Sequence, residues 1–205
     1  MTLGAHFLDD LSRRHHAVAL ALHAVNGIHG RNVGDPVHEE VTEGRRRQWE
    51  QALRAGQAWA KAMPQGYHSC GDLVAWVLAR LGCRDESLVN RTDDGGTRAW
   101  VPGRNLTAIV GHPAFVRGTT ATEPQPGDAV FLAMNGGHLD VLIEWDTVAR
   151  LATVAAYGQP YGRRRTRPIG KRGKAWTLDG SEVAGWLDLD RVTFDGPVDL
   201  SGVAR

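Results

Sequence analysis

The sequence predicts an α+β protein in which N-terminal helices are followed by an antiparallel sheet. Apolar residues recur at helical spacing through the first 81 residues. From residue 124 onward the pattern changes to short apolar or alternating runs divided by turn residues. The two textures do not interleave, as they would in a parallel α/β fold. The 205 residues, 42% hydrophobic and 23% charged, suffice for one domain with its own core and exclude a disordered, collagen-like or coiled-coil chain. Residues 1–62 read as a helical extension packed on a core formed by residues 63–205.

The first helix is expected over Leu8 to Ile28, amphipathic in pattern. Its apolar stretch, Ala17 to Val25, follows Arg13, Arg14, His15 and His16, and Asp9 and Asp10 spoil the basic region that a secretory signal needs. No apolar run is long enough to span a membrane. After a break at Gly27 to Gly34, Asp35-Pro36 reads as a helix start, and Pro64-Gln65-Gly66 as the end of that segment. Ser69 to Leu81 is the clearest helix: Leu73, Val74, Val77, Leu78 and Leu81 make one apolar face, and Gly82 stops it. Arg84 to Thr122 is rich in turn residues, with a short helix expected at Asn105 to Val110.

The strand region opens after the Pro126-Gly127-Asp128 turn. Ala129 to Met134 is an apolar run. His138 to Trp145 alternates, with Leu139, Val141, Ile143 and Trp145 on one face and His138, Asp140, Leu142 and Glu144 on the other. A further strand is expected over Leu151 to Tyr157. Arg163 to Arg172 reads as a basic loop. It is a solvated segment, a clamp for an anionic substrate such as a carboxylate-bearing peptide stem, or a nucleic-acid contact, although it has no aromatic interleaving of the kind that stacks bases. With a net charge of +1, nothing in the composition points to nucleic acid. One or two strands follow, around Trp176 and Trp186 to Leu189.

Two cysteines make no disulfide framework. Cys70 stands where a loop becomes a helix. There the helix dipole and unpaired backbone N–H groups favour a thiolate and can hold a developing oxyanion. Cys83 lies past the far end of the same helix, roughly 20 Å away at helical rise, and reads as structural. A cysteine nucleophile needs a base oriented by a third polar group. His138 has the setting for a base, after Gly136-Gly137 and opposite the apolar face of its strand. If Trp145 pairs with about Arg150, His138 lies across from Tyr157 to Gln159, which makes Gln159 the preferred third residue. Asp140, two residues along the same face, is the competitor. His15, His16 and His23 lack a completing ligand at metal spacing, so no metal or cofactor is expected.

These pieces resemble NlpC-type papain-fold cysteine peptidases and amidases. Ser69-Cys70-Gly71-Asp72-Leu73-Val74 looks like their nucleophile motif, although Gly71-Asp72 stands where Ser-Gly is usual. Pro126-Gly127-Asp128-Ala129-Val130-Phe131 looks like their turn before the central strand. Gly137-His138-Leu139-Asp140-Val141-Leu142-Ile143 looks like their histidine strand. The resemblance covers about residues 65 to 170. It implies a papain-like fold and a hydrolase that cuts an amide bond, with Cys70 as nucleophile, His138 as base and Gln159 or Asp140 as orienter. Tyr67 or Gln65 would complete the oxyanion hole or line the cleft. The implied substrate is a peptide, and in particular peptidoglycan stem peptides. Without a Sec signal, such an enzyme would work in the cytoplasm or leave by a phage-lysis or contact-dependent secretion route. The alternatives are a catalytically silent papain-like binding module and an acyltransferase using the same dyad.

Overall fold

In the computed structural model, the described residues are 3–25, 50–51, 53–56, 70–89, 109–134, 137–156, 163–201 and 203. Two helices are named, α1 (Leu3–Val25) and α2 (Cys70–Arg80). Seven strands follow: β1 (Phe115–Arg117), β2 (Ala129–Ala133), β3 (His138–Asp146), β4 (Leu151–Ala156), β5 (Arg163–Arg172), β6 (Ala175–Leu178) and β7 (Ser181–Leu187). The α+β class and its order, helices first, are as the sequence predicts. The helix expected from Asp35-Pro36 lies almost wholly outside the described residues, as does most of that expected at Asn105 to Val110; residues 109–111 are helical.

All strand pairs are antiparallel, in the order β1-β7-β2-β3-β4-β5-β6, and β7 also pairs with β6. β2 through β7 therefore close into a ring. β7 gives one edge to β2 and divides the other between β6 at its start and β1 at its end. Closure removes the open edges that would otherwise be pairing templates. The inside is filled by Val130, Leu132, Leu142, Val154, Trp176, Leu178 and Trp186, among others. Outside, α1 and α2 pack on Leu139, Val141 and Ala155 of β3 and β4. Alternation along β3 thus sends one set of residues to the helices and the next into the ring. Trp145 departs from the expected face. A bulge between Leu142 and Glu144 shifts the phase, so Trp145 packs with the inner set, edge-on to Trp176 at 5.6 Å.

Arg163 to Arg172 is a strand, not a loop. Its first part pairs with β4 and its last part with β6. Pro168, which has no N–H to give, stands where the pairing changes over, the position a sheet-interior proline can occupy.

Arg14 of α1 joins the helical layer to the sheet. Nη1 meets Asp128 at 2.7 Å and the Pro126 carbonyl at 3.1 Å; Nη2 meets Asp188 at 3.0 Å, and Nε meets Asp190 at 3.0 Å. The Asp128 carboxylate, 1% exposed, also accepts from the backbone N–H of Gln125 and Leu189. Burial works against the Arg14 charge, but Asp190 and Asp128 outweigh it and raise its pKa further. Gly127 takes φ of +94° in this turn, and a Cβ there would press on the Leu189 side chain, Ala17 and the Arg14 carbonyl. The Pro-Gly-Asp turn is thus an anchor for α1 as well as the entry to β2.

Candidate active site

α2 begins at Cys70, so the first N–H groups of the helix surround the cysteine and lack intrahelical partners. The apolar face read from the sequence holds α2 in place: Leu73, Val74, Val77 and Leu78 are each at most 2% exposed. Cys70 itself is half-buried, while Cys83 is fully buried beyond the end of α2, in a bridge to Phe194. Neither cysteine is in a disulfide.

β3 begins at His138, and α2 packs on that strand. Interaction with the Cys70 thiol helps to raise the pKa of the His138 imidazole. The ring also meets a carboxylate, with Nε2 2.8 Å from Asp140 Oδ1. With Nε2 engaged, Nδ1 is the nitrogen left for sulfur. Burial alone would push the His138 pKa down. The contacts with Asp140 and Cys70 outweigh burial and hold it at about 10, so the ring is cationic at neutral pH.

Asp140 is fully buried between strands that offer it no charge. Val130 lies opposite on β2 and Ala156 opposite on β4. Its second oxygen, Oδ2, is 3.1 Å from Nε of Arg167 on β5, a side chain 7% exposed. Arg167 Nη1 is also 3.9 Å from Asp179 in the β6–β7 turn. The contacts on Asp140 are close in distance but off the N–H axes. Among the described residues, neither Asp140 oxygen nor Arg167 Nε makes an aligned hydrogen bond. They are ion-pair contacts in a buried setting.

The structure brings Cys70, His138 and Asp140 together. Gln159, Gln65 and Tyr67 lie outside the described residues. Pairing across the hairpin favours Gln159 over Asp140, yet the two neighbours on one face of β3 meet, the His138 ring and the Asp140 carboxylate lying 2.8 Å apart. The assumed hairpin register is also corrected, since Trp145 pairs with Ala152 and not with about Arg150. Asp146 Oδ1 accepts from the N–H groups of both Val148 and Ala149 and makes a longer turn.

Arg167 is the site residue that sequence reasoning missed. The signal was present in period-two spacing: Arg163, Arg165, Arg167 and Ile169 share one strand face, and Ile169 is buried inside the ring. The density of arginines masked it. The chain matches no protein-family model, no curated protein and no solved structure.

Proposed function

We propose that this chain is a cysteine hydrolase that cleaves an amide bond, on a papain-like frame of NlpC type. The observation that carries the reading is a single imidazole 2.8 Å from a buried carboxylate and under the influence of the Cys70 thiol. A cationic ring beside a cysteine sulfur favours the thiolate, the nucleophilic form. The helix start adds N–H donors and a dipole of the right sign.

The reaction follows from these parts. Cys70 sulfur attacks the amide carbonyl carbon, and the oxyanion forms against the Cys70 backbone N–H. His138 gives its proton to the amine as the C–N bond breaks, leaving a thioester on Cys70. The neutral ring then takes a proton from water as its oxygen attacks the thioester. The C–S bond breaks, the carboxylic product leaves, and sulfur and ring regain their starting states. Asp140 holds the ring with one nitrogen toward sulfur throughout. The motif resemblance makes peptidoglycan stem peptides the proposed substrate. No described helix is long and apolar enough to cross a membrane.

Two measurements test the reading. Iodoacetamide at neutral pH should label Cys70 at least tenfold faster than Cys83. Purified peptidoglycan and a peptide panel should yield hydrolysed products by mass analysis, and Cys70→Ala should abolish them while circular dichroism stays unchanged. Equal labelling of the two cysteines would sink the hydrolase and leave a silent binding module; a fully active Cys70→Ala protein would remove Cys70 as the nucleophile.

A further inference from the structure

We propose that Arg167 is a positioning residue of this site: it serves as the counter-ion of Asp140, so that the charge of His138 is left for Cys70. The inference rests on the reading of Cys70 and His138 given above and adds a fourth residue to it.

A carboxylate with no solvent exposure needs a partner, because an uncompensated buried charge is strongly destabilising. Asp140 is 0% exposed. The groups facing it and the ring can be taken element by element. α2 brings Cys70, β3 brings His138 and Asp140 themselves, and β5 brings Arg167, with half-buried Arg165 and exposed Arg163 on the same strand face; α1 packs on the other face of β3, that of Leu139 and Val141. β2 brings Leu132 opposite His138 and Val130 opposite Asp140, and β4 brings Ala156; none carries charge. The β6–β7 turn brings Asp179, which is 68% exposed and 3.9 Å from Arg167, a weak claim on a solvated carboxylate.

Were His138 the only cation on Asp140, the imidazolium would be spent on that carboxylate, and a thiolate would add a second negative charge to one positive one. Arg167 removes the conflict. Its charge balances Asp140, and the ring's charge balances sulfur, so the quartet is two neutral pairs. Arginine suits the task because it stays ionised at every relevant pH. Removing its charge disfavours the thiolate whichever way the site responds. If Asp140 stays ionised, it opposes a second anion nearby. If it takes a proton, the ring loses the partner that keeps it cationic.

The test uses the full chain and needs no substrate. The rate of Cys70 alkylation by iodoacetamide is followed by intact mass from pH 5 to pH 9, for wild type, Arg167→Gln and Arg167→Lys. Arg167→Gln should move the profile to higher pH by about one unit, so that alkylation at pH 6 slows about tenfold while the rate at pH 9 is kept. Arg167→Lys keeps the charge and should restore most of the profile. A folded Arg167→Gln protein with the wild-type profile overturns the proposal, even if its stability has fallen, because a structural role alone moves stability and not the profile. Should Arg167→Gln fail to fold, NMR of the wild type decides. The Arg167 Nε–H should exchange with water at least tenfold more slowly than those of the exposed Arg163 and Arg164, and equal exchange overturns the pairing. The two readings fail separately. If Cys70 is no more reactive than Cys83 in the wild type, the hydrolase falls; if Cys70 is reactive but indifferent to Arg167, only the present proposal falls.

Discussion

Two histidine–aspartate pairs among the described residues differ in what the second ring nitrogen does. His112 Nε2 meets Asp85 Oδ2 at 2.9 Å, nearly the same approach as His138 to Asp140. At His112, however, Nδ1 accepts the backbone N–H of Ala114 at 3.0 Å. An accepting Nδ1 makes Nε2 the donor, and both nitrogens are used. Asp85 is also bound by the Ser87 hydroxyl and N–H. Burial would raise its pKa, but Ser87 and His112 outweigh that and hold it below the usual carboxylate value. The His112 pair ties residues 85–89 to residues 109–114 with every contact aligned. At His138 one nitrogen is left for sulfur, and the carboxylate behind it is held by charge in off-axis geometry. A histidine beside an aspartate is therefore no mark of catalysis by itself; the mark is a nitrogen not used for folding.

The largest expected effect falls on turnover. Asp140→Asn should slow hydrolysis by about 10²- to 10⁴-fold, through loss of ring orientation and charge. Asp85→Asn should leave it within about twofold. Equal losses in a steady-state assay would erase the distinction between the pairs.

The pH dependence of stability comes next. The His138 pKa is raised from 6.5 to about 10 on folding. A raised histidine contributes stability that is full below the unfolded value and is lost as pH rises through the folded one. Urea unfolding of the wild type should therefore weaken between about pH 7 and pH 10. His138→Gln should flatten that window, while His112→Gln should keep the wild-type slope. A His138→Gln protein with an unchanged slope would remove the ion pair from the account.

The smallest effect is on His112. His112→Ala should lower the unfolding free energy by about 1–2 kcal/mol, the scale of its lost hydrogen bonds, with Cys70 alkylation unaltered. Slower alkylation in a stable His112→Ala protein would show that the two pairs are coupled.

What the sequence reveals follows the range of the signal. Cys70 at the start of α2 and His138 at the start of β3 are legible because each sits at a local change of period, from loop to helix or from turn to strand. Their contact is not local, and only the order of motifs suggests it. Asp140 is visible only as the competitor of Gln159, because a meeting of neighbours on one strand face depends on side-chain rotamers that spacing does not fix. β5 is misread because arginine is taken as a surface residue, whereas Arg167 is buried beside a carboxylate from another strand. Closure of the ring depends on a short signal. Asp179 and Gly180 both adopt positive φ, 51° and 77°, the primed turn typical of Asp-Gly hairpins, and that turn lets β6 meet β7.

The Arg14 junction has a consequence for the chain as it is made. Its partners Asp188 and Asp190 are 174 and 176 residues further along. At a synthesis rate of about 5–20 residues per second, α1 waits roughly 10–35 s for them. Until β3 and β4 are made, Ala17, Leu20, Ala21 and Ala24, all fully buried in the finished protein, have no sheet to cover them, and the Arg14 junction closes later still. α1 is thus made long before the residues that fix it, and its apolar face is the one the cell must keep from mispairing in the interval.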